Sequence, residues 1–279
     1  MNLICKRNGN INDYLTKYEG LNFNKVQALF RKKDIRVNNI KVDKNYELKI
    51  GDEIRIFAKN DYFYSIKTIY EDENIIIVDK PKKLEVISEN RDITLINIIN
   101  KNYFCVHRID FNTEGLVIFA KNLDAKNELD HGFKNNLFTK KYITICKNIP
   151  PKNEMEFTDY LIKLDNYVKI TNKKQNDAKT VITQINLINK NKNYSLLDVL
   201  LKTGRTHQIR AHLAYHNLFV LGDDKYGDFK TNKTLNLKSQ ILKCYYLKLN
   251  FPQNSKLSYL TNKEFFADIK SILDYFNNL

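Results

Sequence analysis

The chain has 279 residues, 43% hydrophobic and 28% charged, which suits one large soluble domain or a small one followed by a medium one. Its formal net charge of +14 opposes compaction and points to a polyanionic partner, nucleic acid first and a membrane surface second; a Lys- and Asn-rich proteome is the plain alternative. Four dispersed cysteines (Cys5, Cys105, Cys146, Cys244) exclude a zinc knuckle or disulfide scaffold, and neither a signal peptide nor a membrane-length apolar run is present, so a cytoplasmic protein is expected.

The first sixty residues read as a unit of their own. Asn10–Tyr18 and Asn24–Lys33 have helical spacing, with Val26, Leu29 and Phe30 on one face of the second. Ile35–Lys41 reads as a hairpin turning at Asn38-Asn39, and Tyr46–Phe57 as two strands around Gly51-Asp52. Residues 1–60 hold 13 Lys and Arg against 7 Asp and Glu, so this unit shares the basic surplus. From about Gly9 to Phe57 it resembles an S4 RNA-binding domain. It departs from that family at Asn12, where an Arg is usual, and at Asn22, where a Ser is usual. The resemblance implies RNA binding by a basic helix face beside a hairpin, through Arg31, Lys32 and Lys33. A small α+β cap with solvated charge is the alternative.

A polar and aromatic linker is expected over Asn60–Ser65. Strands then follow at Ile69-Tyr70, Ile75–Val78, Leu116–Ala120, Thr139–Lys147, Lys179–Ile188, Tyr194–Lys202 and Ile241–Leu249. Helices fit Leu123–Asn135, Thr206–His216 and Lys263–Asn277, the last with a stripe from Phe265 to Phe276. Asn189–Asn193 reads as a hairpin loop and Lys230–Lys238 as an exposed insertion. Strands and helices without βαβ alternation predict an α+β fold with a mixed, largely antiparallel sheet.

Two stretches concentrate chemistry. His107-Arg108-Ile109-Asp110 precedes a short turn and an apolar strand, so Asp110 can be rigidly held while facing a cleft. Gly204-Arg205-Thr206-His207-Gln208-Ile209-Arg210-Ala211-His212-Leu213 crosses from a strand end into a helix, with Thr206 the expected N-cap. Arg205 and His207 lie at the helix mouth, where anions are favoured, and Arg210 lies one turn inside, within reach of a neighbouring carboxylate. A capped surface helix with routine bases is the alternative.

Together these blocks resemble the RluA-type pseudouridine synthases, which include enzymes of the ribosomal large subunit. The family pattern His-Arg-Leu-Asp-x-x-Thr-Ser-Gly-Leu is met by residues 107–116, with Ile109 for Leu and Glu114 for Ser. Gly-Arg-Thr-His-Gln-Ile-Arg-x-His-Leu is met without mismatch, and Leu-Gly-Asp-x-x-Tyr-Gly by Leu221–Gly227. An early block from Asp72 fits except at Lys83, where a Gly is usual, and Lys140–Tyr142 matches the strand bearing the family's tyrosine. The resemblance spans about residues 62–250 and divides the chain at 1–60 and 61–279.

The resemblance implies a cofactor-free uridine isomerisation in RNA, with ribosomal RNA expected and transfer RNA the other candidate. Asp110 would act at the ribose, Arg210 would pair with it, and Tyr142 would stack on the base. Arg108 would support the flipped nucleotide, with Arg205 and His207 contacting RNA. No metal is expected, because no His/Cys cluster shows zinc spacing, and the protein is expected to be a monomer. A catalytically inactive RNA-binding or ribosome-assembly protein on the same fold is the competing reading, supported by the Glu114 and Lys83 departures. A methyltransferase is excluded by the lack of any Gly-x-Gly run, and a glycosidase by the lack of a separate second carboxylate.

Overall fold

The computed structural model describes residues 1–58, 64, 66–91, 93–165 and 167–279; of the expected linker, only Tyr64 falls among them. Near the N-terminus a four-stranded antiparallel sheet takes the order Ile40–Lys41, Ile35–Val37, Glu53–Ile56, Asn2–Ile4. The hairpin turns at Asn38 and Asn39, both at positive φ, as a tight turn between right-twisted strands demands. The strands flanking Gly51-Asp52 do not pair with each other as the sequence suggested. Glu47–Leu48 pairs with Gly9–Asn10, while Glu53–Ile56 joins the larger sheet. Their apolar residues Leu48, Ile54 and Ile56 are all buried, and satisfying both sets separates the strands.

The two N-terminal helices are capped by asparagines. Asn22 accepts from the Lys25 amide ahead of the helix Phe23–Lys32, so the replacement of the usual Ser preserves the cap. Asn10 caps Ile11–Asp13, but the expected helix through Tyr18 continues as a wider π-helical turn, Tyr14–Tyr18. Asn12 accepts from the Gln27 amide, tying the two helical segments together.

Residues beyond 66 build a twelve-stranded sheet, antiparallel except where Glu114–Ala120 runs parallel to Leu242–Lys248. Glu154–Lys163 and Val168–Thr171 form one end of the sheet and Lys67–Glu71 the other. Two segments differ from what the sequence predicts. Residues 263–277 do not form one helix: Glu264–Phe266 pairs with Leu242–Lys248, and the helix covers only Lys270–Asn277. Phe265 is buried and Phe266 exposed, so a period-two pattern was hidden inside the apolar stripe. Residues 230–238 are no exposed insertion either. Phe229–Thr234 is a helix capped by Asp228, and its buried Asn232 accepts from the Gly222 amide and donates to the Asp223 carbonyl.

The parallel junction places Gly115 at φ 116° opposite Cys244, so near that any Cβ would run into the Cys244 backbone. Gly115→Ala should therefore cost about 3 kcal/mol or more, from left-handed strain and a backbone clash together. Urea unfolding of the variant checks this, and a midpoint equal to wild type would refute it.

One continuous core runs from Leu3, Ile11 and Val26 into Ile75, Ile118 and Leu247. The N-terminal unit rests against the segment that carries Asp110. Gly20, at φ 77°, packs its Cα so near the Lys83 carbonyl and the Phe111 ring that a Cβ would sit 2.9 and 3.1 Å from them. The Tyr64 hydroxyl donates within 3.3 Å of both the Gly20 and Lys83 carbonyls. Arg91 lies over the rings of Tyr18 and Phe111, 5.6 and 4.4 Å from their centroids.

Candidate active site

Three separate parts of the chain meet in a cleft of about 690 Å³ lined by Arg108, Asp110, Lys140, Tyr142, Arg205, His207 and Arg210. Asp110 sits on the turn before Glu114–Ala120, closed by the Thr113 amide donating to the Asp110 carbonyl at 3.0 Å. Lys80, fully buried, fixes that turn from beneath. Its ammonium donates to the carbonyls of Pro81, Leu84 and Phe111 at 2.9, 2.7 and 3.2 Å. Three acceptors match the three donors of the charged form, although burial pulls the Lys80 pKa down to about 7. The available signal in sequence was a lysine two residues beyond the apolar run Ile75–Val78.

Arg210 approaches from the helix Gln208–Tyr215. Thr206 is not its N-cap, as expected from sequence. His207 heads the helix at φ 51° without a side-chain cap, and Gln208 folds back to accept from the Arg205 amide and the Thr203 hydroxyl. Arg210 is thereby buried to 6% side-chain exposure with three carboxylates around it. Its NH1 donates to Asp110 Oδ2 at 3.0 Å, while Nε and NH2 form a bidentate fork to Asp223 at 2.7 and 2.8 Å. NH2 also reaches Asp224 at 3.3 Å.

The electrostatics follow from this packing. Burial disfavours the Arg210 charge, but hydrogen bonds and charge from Asp223, then Asp110, outweigh it and raise the pKa. Burial likewise pushes Asp223 up, yet the Arg210 fork and the amides of Tyr226 and Lys225 win and hold it below the usual carboxylate range. Asp223 lay in the Leu221–Gly227 block, but only its meeting with Arg210 reveals its role as the second anchor of that guanidinium.

Tyr142 belongs to Thr139–Lys147, where the register against Leu242–Lys248 shifts between Lys141 and Tyr142. Such a bulge re-aims side chains. Burial, with the neighbouring Cys244, raises the Tyr142 hydroxyl well above its ordinary pKa, so it stays protonated at working pH. Arg108 and Arg205 are exposed at the rim. His207 Nδ1 lies 3.0 Å from the Tyr226 hydroxyl. His107 is held neutral by burial, its pKa lowered to about 3, and its Nε2 accepts from the Ile118 amide. Arg31, Lys32 and Lys33 are exposed at the C-terminal end of their helix and do not line the cleft.

The two departures from the family pattern are accommodated locally. Lys83 adopts φ 59°, the left-handed conformation a Gly takes without strain. Glu114 pairs with Lys82 at 3.4 Å and leaves the Asp110–Arg210 contact intact. One histidine pair does have ligand spacing, contrary to expectation. His212 and His216 lie one helical turn apart, and the fold brings Asp159 to them from a distant strand.

The large, mostly antiparallel mixed sheet is the fold of RNA pseudouridylate synthase domains of known structure. The structure aligns with human RNA pseudouridylate synthase domain containing 4 at TM-score 0.59 and 19% identity, covering 72% of this chain and 87% of that one. Human RNA pseudouridylate synthase domain containing 1 aligns equally well, with 17% identity and coverage of 77% and 96%. The RNA pseudouridylate synthase family pattern matches residues 74–215. Ribosomal large subunit pseudouridine synthase C of Rickettsia prowazekii is 32% identical over 235 residues, 73% of this chain and 77% of that protein. An uncharacterized RNA pseudouridine synthase of Mycoplasma capricolum is 32% identical over 275 residues, covering 85% and 86%. The chain belongs to the RNA pseudouridylate synthase family, and it is an isomerase that acts on RNA. Among the described residues no helix is long and apolar enough to cross a membrane.

Proposed function

We propose that the protein converts specific uridines of large-subunit ribosomal RNA to pseudouridine, with Asp110 as the carboxylate that acts at the ribose. The single observation that carries this reading is Asp110, partly exposed to the cleft and held by a buried Arg210 that Asp223 fixes from behind. Whether Asp110 attacks C1′ or removes a ribose proton, its carboxylate must be held in place, and the Arg210 guanidinium at 3.0 Å holds it. The N1–C1′ bond breaks, the base turns, C5 bonds to C1′, the C5 proton leaves and N1 takes one up, so the product is an isomer and no cofactor is consumed.

A paired uridine must first leave its stack, at a cost of a few kcal/mol. Stacking on Tyr142 returns about 1–3 kcal/mol. Arg108, at the rim, holds the opened stack, and Arg205 and His207 contact the backbone near the helix mouth. The ribosomal address is supported by the printed name of the Rickettsia relative and by the basic surplus of the chain. It is tested by mapping pseudouridines in ribosomal RNA from cells with and without the gene. Loss of one to a few large-subunit sites is the expected result; an unchanged map would refute the address.

Residues 1–60 serve, in this reading, as an S4-like RNA-binding domain and residues 61–279 as the catalytic domain of a cytoplasmic monomer. Arg31, Lys32 and Lys33, each exposed at the C-terminal end of one helix, are its phosphate contacts. Replacing all three with Ala should weaken RNA binding and flatten its log–log salt slope by about 2–3. A slope equal to wild type would remove these residues from the interface.

A further inference from the structure

Away from the cleft, three side chains converge on one point. Asp159 projects from the strand Glu154–Lys163, and His212 and His216 from successive turns at the end of the helix that carries Arg210. Asp159 Oδ2 lies 3.1 Å from His212 Nε2 and 2.7 Å from His216 Nε2, and one ligand atom from each residue lies within 4.8 Å of the others. We propose that Asp159, His212 and His216 bind one divalent cation of the zinc class, stapling that strand to the Arg210 helix.

The surroundings are those of a built site. His212 has no side-chain exposure and Asp159 has 8%, so neither is a solvated surface group. His212 Nδ1 sits 2.8 Å from the Thr183 hydroxyl, which Gln208 in turn contacts, and this orients Nε2 toward Asp159. An outer-shell hydroxyl on the far ring nitrogen is what orients a metal-binding imidazole. His216 stacks on Phe157 at 3.9 Å and 13°, which fixes its ring plane. It retains 28% exposure, giving the ion an entry side and a place for water as fourth ligand. Two imidazoles and one carboxylate suit zinc, and ligand atoms about 3.3 Å apart would surround an ion at about 2.0–2.1 Å with small adjustments.

The cation does not enter the chemistry assigned to Asp110. Its effect is mechanical, through a helix in which His212 follows Arg210 by two residues. The proposal thus stands or falls apart from the ribosomal assignment.

The test uses tag-free full-length protein stripped with chelator and titrated with Co²⁺, then with Zn²⁺. One equivalent of Co²⁺ should bind with the intense visible absorption of four-coordinate geometry, Zn²⁺ should displace it, and zinc should raise the melting temperature. His216→Ala removes the most exposed of the three ligands. Since outer-shell losses already cost about 10–100-fold in metal affinity, this variant should lose more than about 100-fold. His131→Ala, an exposed histidine elsewhere, should bind as wild type does. Absence of cobalt uptake, a weak six-coordinate spectrum, or equal affinity in His216→Ala would each overturn the proposal and leave a hydrogen-bonded triad only.

Discussion

Asp110→Asn should fold, bind RNA and form no pseudouridine. The amide nearly preserves the shape of the carboxylate and can still accept from Arg210 NH1 through its oxygen. Asp110 keeps 26% side-chain exposure, and Arg210 retains its bidentate fork to Asp223, so stability should change by less than about 1 kcal/mol. Turnover is a different matter. A neutral amide neither attacks C1′ nor takes a proton, and loss of a group that acts directly on the reacting bond costs about 10⁴-fold or more. Release of tritium from C5-labelled uridine RNA under single-turnover conditions measures the proton lost as C5 becomes bonded. Wild-type binding with no release is the expected pair of results. Residual activity within about tenfold of wild type would remove Asp110 from the chemistry.

Arg210→Gln should damage both stability and activity, and by separable routes. The guanidinium is the only arginine among the described residues with hydrogen bonds to three carboxylates, and Asp223 behind it has no side-chain exposure. Removing the cation strands a buried carboxylate, for which a loss of about 3–5 kcal/mol is expected. Asp223→Asn added to Arg210→Gln should recover part of this, because the stranded charge is gone, whereas activity should stay lost. Failure of the second change to recover stability would show that packing, not charge, dominates at this site.

The same pair sets an acid limit on the wild-type protein. Asp223 is depressed below its ordinary value of 3.8, so its contribution is complete above that pH and is lost as pH falls through the lower folded value. In Arg210→Gln the sign reverses, since protonation then relieves the stranded carboxylate. Urea midpoints measured between pH 6 and pH 3 should therefore fall for wild type and fall less, or rise, for the variant.

Much of the site was legible in linear sequence because its key residues sit in short contiguous blocks. His107–Leu116 and Gly204–Leu213 carry Asp110 and Arg210 with the residues that shape their turn and helix. The strands at Ile75–Val78, Leu116–Ala120 and Thr139–Lys147 were likewise apparent, since apolar or alternating runs report directly on burial. The errors fell where a local pattern admits two periods. Phe265 fits a strand as well as a helix, and pairing with Leu242–Lys248 decided for the strand. The lysines from Lys230 to Lys238 suggested an exposed insertion, whereas buried Asn232 makes Phe229–Thr234 a brace for Gly222 and Asp223.

The sequence blocks, through their resemblance to a family, implied that Asp110, Arg210 and Tyr142 would share one site, and the three do line one cleft. Only the tertiary structure decided how strongly that pair is held. Asp223 anchors Arg210 from 13 residues away, Lys80 clamps the Asp110 turn from another strand, and Asp159 meets His212 across 53 residues. The physical reason is that charge pairing and convergent ligation depend on through-space distance and burial. Periodicity and motif spacing encode which face a residue takes; they do not encode which distant residue it will find there.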